Sequence, residues 1–239
     1  VNWPNDKKDF HFIQKIKRMC FSASASFGAG VLLTGIYVAT KRKATSPSQT
    51  YFASIPLIFG AQQITEGFVW LSLTGSASPN IQQVATYLFL FIAQVVWPLW
   101  VPYSILKLQP KEQRRRSEYM LVAMGAIVSI YNSYCLLSFP VQAEVMEHHI
   151  SYKQDYPAEL LPYIGSLYIA ATIFPPFLSR VCGMWMLGTS VLISYLITTL
   201  FYVHATVSVW CFFASIISAA IYAIMYKIHN SNSVLVAAV

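Results

Sequence analysis

The residues best equipped for chemistry stand inside one apolar stretch, GAQQITEGFVW, where Gln62, Gln63, Glu66 and Trp70 recur at helical spacing and so share one face. A carboxylate in such a setting is costly unless it is paired, protonated or watered. Glu66 is therefore expected to act either as a protonated hydrogen-bonding link between helices or as a ligand contact, proton carrier or counter-ion. Other apolar stretches carry polar stripes able to face it. Ser129, Asn132 and Ser133 form one, Ser190, Ser194, Thr198 and Tyr202 a second, and His204, Ser208, Cys211, Ser215 and Ser218 a third. The ligand- or proton-binding candidates are Glu66, Gln62, Gln63, Asn132, His204 and Ser208, around an outward-facing polar cavity. Against this stands the plainer role of Ser and Thr stripes, which bond the backbone of their own helices.

Cys20 and Cys211 are the candidate reactive thiols, and Cys20 and Cys135 fall on one side of the expected topology, where a bridge can form without the sequence fixing the pairing. The run Glu144-Val145-Met146-Glu147-His148-His149 holds metal-ligand types but lacks zinc-motif spacing and a remote partner set, so a solvated loop and no metal site are expected. No cofactor is expected either. The last apolar stretch has no lysine before Lys227 for a retinal Schiff base, and His204 is the one histidine in or at the edge of a stretch, too few for a zinc hydrolase or a haem held between two histidines.

The elements that must position these residues follow from hydropathy. The 239 residues are 56% hydrophobic and 10% charged, against about 25% charged in an ordinary soluble domain. A helix crossing a bilayer needs roughly 20 apolar residues, and seven stretches qualify: Phe21 to Thr40, Tyr51 to Leu73, Val84 to Leu106, Tyr119 to Phe139, Leu160 to Leu178, Val181 to Phe201 and His204 to Tyr226. The expected fold is all-α, a polytopic integral membrane protein built as a seven-transmembrane-helix bundle, with the lipid bilayer as partner. The last two stretches need a turn near Tyr202 to His204. Trp97-Pro98-Leu99-Trp100-Val101-Pro102 should bend the third and Pro175-Pro176 bend or end the fifth.

The net charge of +7 is spread in short clusters between the stretches, which argues against nucleic acid and for orientation in a membrane. Lys41, Arg42, Lys43, Lys107, Lys111, Arg114, Arg115, Arg116, Arg180 and Lys227 fall on one side and Lys153 on the other. That asymmetry puts the C-terminus in the cytoplasm and the start of the first helix on the outer side of the cell membrane. Residues 1–18 form a basic head that breaks the rule. Met19 as the true start would remove the conflict; an amphipathic surface segment, or a first stretch that does not cross, would also remove it. The seven-helix domain then runs over 19–228 and a tail over 229–239. In CFSASASFGAG the order of small and apolar residues is wrong for signal cleavage. Ser22, Ser26, Gly30 and Thr34 instead give the first helix a nearly bare face for close packing.

The segments MCFSASASFGAGVLLTG, IPLIFGAQQITEGFVWLSL, VWPLWVPYSI and SVWCFFASIIS, in that order, resemble an uncharacterised family of bacterial multi-pass membrane proteins that opens with Met-Cys-Phe-Ser-Ala. The resemblance implies an identity without an activity. By residues alone, the first reading is a small-molecule binding, sensing or transport-like bundle around Glu66, without enzymatic activity. The alternatives are an intramembrane lipid-modifying enzyme using Glu66 or His204 with a thiol and a structural subunit of a membrane complex.

Overall fold

The computed structural model describes residues 22–76, 78–146, 149–201 and 213–237, with residues 201 and 232–237 as backbone alone. The chain is mostly helical. Helix α1 (Ala23–Lys41) starts where the Ser22 hydroxyl accepts from the Ala25 amide at 3.3 Å. Helices α2 (Pro47–Ala53) and α3 (Ile55–Leu73) follow one another across Ser54. Pro56, which has no amide to donate, accounts for the break. Gly75 ends α3 at φ +81°, with its own amide bonded to Ser72 O and the Ser76 amide to Leu71 O. This Schellman geometry needs a residue that tolerates positive φ.

The next stretch is one continuous apolar helix, Pro79–Leu108, divided into α4 (Pro79–Leu90), a π-helical segment Phe91–Val96 and α5 (Trp97–Leu108). Helix α6 (Arg116–Ser138) leads into strands β1 (Val141–Met146) and β2 (His149–Gln154), then α7 (Leu161–Ile173), α8 (Pro175–Leu178), α9 (Met184–Phe201) and α10 (Ala214–Ala237). Pro175 separates α7 from α8. The expected turn near Tyr202 to His204 and the start of the seventh stretch lie outside the described residues.

Among the described residues, α1, Pro79–Leu108 and α6 are each long and apolar enough to cross a membrane, and Leu161–Ile173 and Met184–Leu200 are shorter apolar helices. Prolines at the head of α3 and between α7 and α8 shorten individual helices that the hydropathy pattern joins. Large apolar side chains face outward around the bundle, including Leu137 at 85% exposure, Val31 at 72% and Ile130 at 71%.

The structure corrects the expected solvated loop after α6. It is an antiparallel hairpin in the register Ala143↔Tyr152 and Val145↔Ile150. Ala143 and Ile150 are buried with Val69, Trp70 and Ala85, and Tyr152 stacks on Phe89 at 4.9 Å. On the other face Lys153 pairs with Glu144 at 2.6 Å. The hairpin closes the end of the bundle where α3 stops and α4 starts. The largest core cluster lies toward the other end, joining Phe52, Ile55, Trp97, Met184, Leu187 and Ile221.

Candidate functional site

The site begins with two prolines. Pro98 offers no amide to the carbonyls four and five residues before it, those of Gln94 and Ala93. The helix responds by widening into the π-helical segment, in which the Trp97 amide reaches back to Ile92 O. Neighbouring helices supply the missing donors. Tyr168 Oη donates to Ala93 O at 2.6 Å, Asn132 Nδ2 to Gln94 O at 2.9 Å and Ser129 Oγ to Val95 O at 2.7 Å. Pro102 leaves Pro98 O in the same state, and Gly125 of α6 sits directly against it, where a Cβ would collide with that oxygen.

Held open in this way, the segment forms one wall of a cavity of about 310 Å³, within the range of roughly 300–1,000 Å³ for ligand sites. Phe59 and Gln62 of α3, Trp97 of α5, Ile164 and Gly165 of α7, Val191 of α9 and Ile221 of α10 contribute to the lining. The lining is predominantly apolar, and no Asp, Glu, Lys, Arg or His belongs to it among the described residues. Gly165 leaves open space where its Cβ would stand.

Uncharged polar groups gather at one end. Gln94 Nε2 donates to Gln154 Oε1 at 2.8 Å, and Tyr156 Oη donates to Gln94 Oε1 at 3.3 Å. Burial, reinforced by Cys135, Tyr87 and Tyr131, pushes the Tyr156 phenol above its ordinary range and keeps it protonated. The Tyr131 hydroxyl and Gln154 Nε2 are buried and have no hydrogen-bond partner. Both residues line the cavity.

Of the residues singled out by sequence, Gln62 and Asn132 line this cavity. Gln62 Oε1 accepts from the Trp97 indole at 2.6 Å, and Asn132 is committed through Nδ2 to the π-helical segment. Gln63 and Glu66 are buried and bonded to each other at 3.2 Å, away from the lining. Gln94 and Gln154 thus mark the polar end of the cavity, and Glu66 is not among its lining residues. Along α1, Ser26 and Gly30 are buried, Thr34 Oγ1 donates to Gly30 O at 2.8 Å, and Gly30 opposes Gly60 so closely that a Cβ on either would press on the other's carbonyl oxygen at 3.2 Å. Ser22 caps that helix. Cys20, His204, Ser208 and Cys211 lie outside the described residues, as do Glu147 and His148 of the acidic run.

Sequence reasoning missed Gln94, Tyr131, Gln154, Tyr156 and Tyr168. For the hairpin a signal existed: VQAEV and HISYK alternate apolar and polar residues with period two, and that period puts Gln154 on the face of Ile150 and Tyr152. For Gln94 the signal was Pro98, four residues on, which must leave a carbonyl open. At the opposite end of the bundle a second unforeseen knot centres on Gln109. Its Nε2 donates to Glu118 Oε1 at 2.6 Å, its Oε1 accepts from the Arg180 amide, and its carbonyl accepts from the Arg114 guanidinium.

Compared with known proteins, the chain matches a family described as a family of unknown function over residues 19–235. No curated protein and no solved structure matches the chain.

Proposed function

The chain belongs to DUF6629, a family of unknown function, so its activity has to be read from its own geometry, and we propose that it is a membrane-embedded bundle that binds a small molecule between its helices. In this reading the bilayer surrounds the outward-facing apolar side chains, and α1, α2–α3, α4–α5, α6, α7–α8, α9 and α10 make seven crossings of the cell membrane. The basic residues between helices collect at the cytoplasmic end with the C-terminus. The start of α1 and the hairpin lie outside, where Lys153 is neutralised by Glu144. Sensing and transport are both compatible uses of such a site.

One observation carries the proposal: the roughly 310 Å³ cavity, lined mostly by apolar side chains with a cluster of amides and phenols at one end. The enzyme reading has no comparable support among the described lining residues, where no nucleophile stands beside a base.

The test compares the wild type with Gly165→Leu, which places a side chain in the open space at Gly165. Each is purified from membranes, extracted with organic solvent and analysed by mass spectrometry. A small molecule retained near one per chain by the wild type and absent from the variant is the expected result. Equal retention by two equally folded proteins would show that this cavity is not the binding site.

A further inference from the structure

Resting on that binding reading, the course of the cavity along α7 narrows the shape of its occupant. Leu161, Ile164, Gly165, Tyr168, Ile169 and Thr172 all line the cavity. They recur at three- and four-residue spacing and so make up one face of α7 over almost the whole of Leu161–Ile173. At the helical rise, Leu161 and Thr172 stand about 16 Å apart. Such a face ordinarily packs on a neighbouring helix; here it borders the cavity, and nothing lies within 4 Å of a Cβ at Gly165. The α9 wall is built likewise, from Leu187, Val191 and Tyr195 at four-residue spacing. The hydroxyls of the α7 face are engaged within the protein, Tyr168 Oη donating to Ala93 O and Thr172 Oγ1 to Tyr168 O, so what this wall offers a ligand is chiefly hydrocarbon. The hydrocarbon core of a bilayer is about 30 Å thick, and the chains of one leaflet fill about half of it. In the proposed orientation α7 starts at the outer surface, so its cavity face matches the outer leaflet in depth. An extended alkyl chain touches such a face from end to end, whereas a compact molecule leaves part of it bare and forfeits those dispersion contacts. We propose that the ligand is an unbranched hydrocarbon chain lying along α7, against Ile164 and Ile169, Val191 of α9 and Ile221 of α10, and supplied by an outer-leaflet lipid or a free alkyl amphiphile.

The test uses the full chain in phosphatidylcholine nanodiscs and two photoprobes, phosphatidylcholine with a diazirine at mid-chain and dodecanoate with one at its far end. After irradiation, labelled residues are mapped by mass spectrometry. Ile130 and Leu137 face outward on α6 and should be labelled in every sample. Ile217 and Ile221 are buried at the cavity wall, out of reach of the surrounding lipid. They should be labelled in the wild type and roughly tenfold less in Gly165→Leu and in Val191→Phe, which fill the cavity from two different helices and displace a few methylenes each. Melting curves and the α6 label report that each variant is folded. Label from the phosphatidylcholine probe makes a membrane lipid the source of the chain, and label from the dodecanoate probe alone makes it a free amphiphile. Dodecane should displace the cavity label at severalfold lower membrane concentration than adamantane, a compact hydrocarbon.

Label confined to α6 in the wild type, with a molecule still retained on extraction only by the unfilled cavity, would overturn the chain assignment and leave the binding reading intact. Equal displacement by dodecane and adamantane would likewise overturn the extended chain. Label on Ile217 and Ile221 that persists in both filled variants would place the chain outside this cavity and overturn the inference. Absence of both the cavity label and any retained molecule would sink the binding reading itself.

Discussion

Asn132 shows how a single side chain can line a cavity and serve the backbone as well. Its amide sits on the cavity wall, but Nδ2 is bound to Gln94 O. Its first duty is to a backbone that Pro98 has left open. Asn132→Leu should lower stability by about 1–3 kcal/mol, the penalty for an orphaned buried carbonyl, measured by unfolding in mild detergent. Tyr156 makes a prediction about pH. Its phenol is raised above the ordinary value of 10.0, so above about pH 10 the unfolded chain releases this proton before the folded one does. The stability Tyr156 contributes is thus whole below pH 10 and drains away as pH rises further. Melting temperatures taken across that range should fall more steeply for the wild type than for Tyr156→Phe. Equal slopes would mean that the phenol is not shielded as described.

At the scale of elements, the π-helical segment is a proline effect carried by its neighbours. Pro98→Ala returns an amide to the helix, and Gln94 O then has a donor of its own. Asn132→Leu should cost less in that background than alone, with a coupling on the order of 1 kcal/mol in a double-mutant cycle. Strict additivity would separate Asn132 from the proline. The Gly125 contact belongs to the same design, because α6 approaches Pro98 O at a distance only glycine permits. Gly125→Val should disrupt the α5–α6 packing and lower stability more than Gly35→Val, at a position where a Cβ meets open space.

The helices themselves were largely legible in the sequence, because each apolar stretch is long and its ends carry Ser, Pro or Gly. The small residues of CFSASASFGAG promised close packing without naming a partner; Gly30 and Gly60 come close because neither has a side chain. The hairpin was hidden by a competing signal: Glu, His and Lys raised its polarity to that of a loop, and only the alternation of Val141, Ala143, Ile150 and Tyr152 betrayed a buried face. Pairwise bonds such as Gln94 to Gln154 join residues sixty positions apart, a relation that local pattern does not encode.

Across the whole molecule, charge and apolar surface divide the bundle into two ends and a belt. Single cysteines placed at Glu144 and at Arg115, in a chain freed of its native thiols, should react with a membrane-impermeant maleimide on opposite sides of sealed membranes. Labelling of both from one side would refute the proposed orientation. The site was less legible than the fold at this scale. Glu66 drew attention because a carboxylate is conspicuous among apolar residues, yet its side chain bonds to Gln63 within its own helix. The cavity lies where unremarkable amides from α4–α5 and the hairpin meet.

The π-helical segment also has a consequence for how the protein is made. The residues that satisfy its carbonyls come later in the chain by 34, 38 and 75 positions. At a ribosomal pace of roughly 5–20 residues per second, the last of them, Tyr168, follows Ala93 by about 4–15 s. For that interval the third long helix exists with open hydrogen-bond acceptors and an undecided shape. Its final curvature, and with it the volume of the cavity, is set retrospectively by helices not yet synthesised when it first forms.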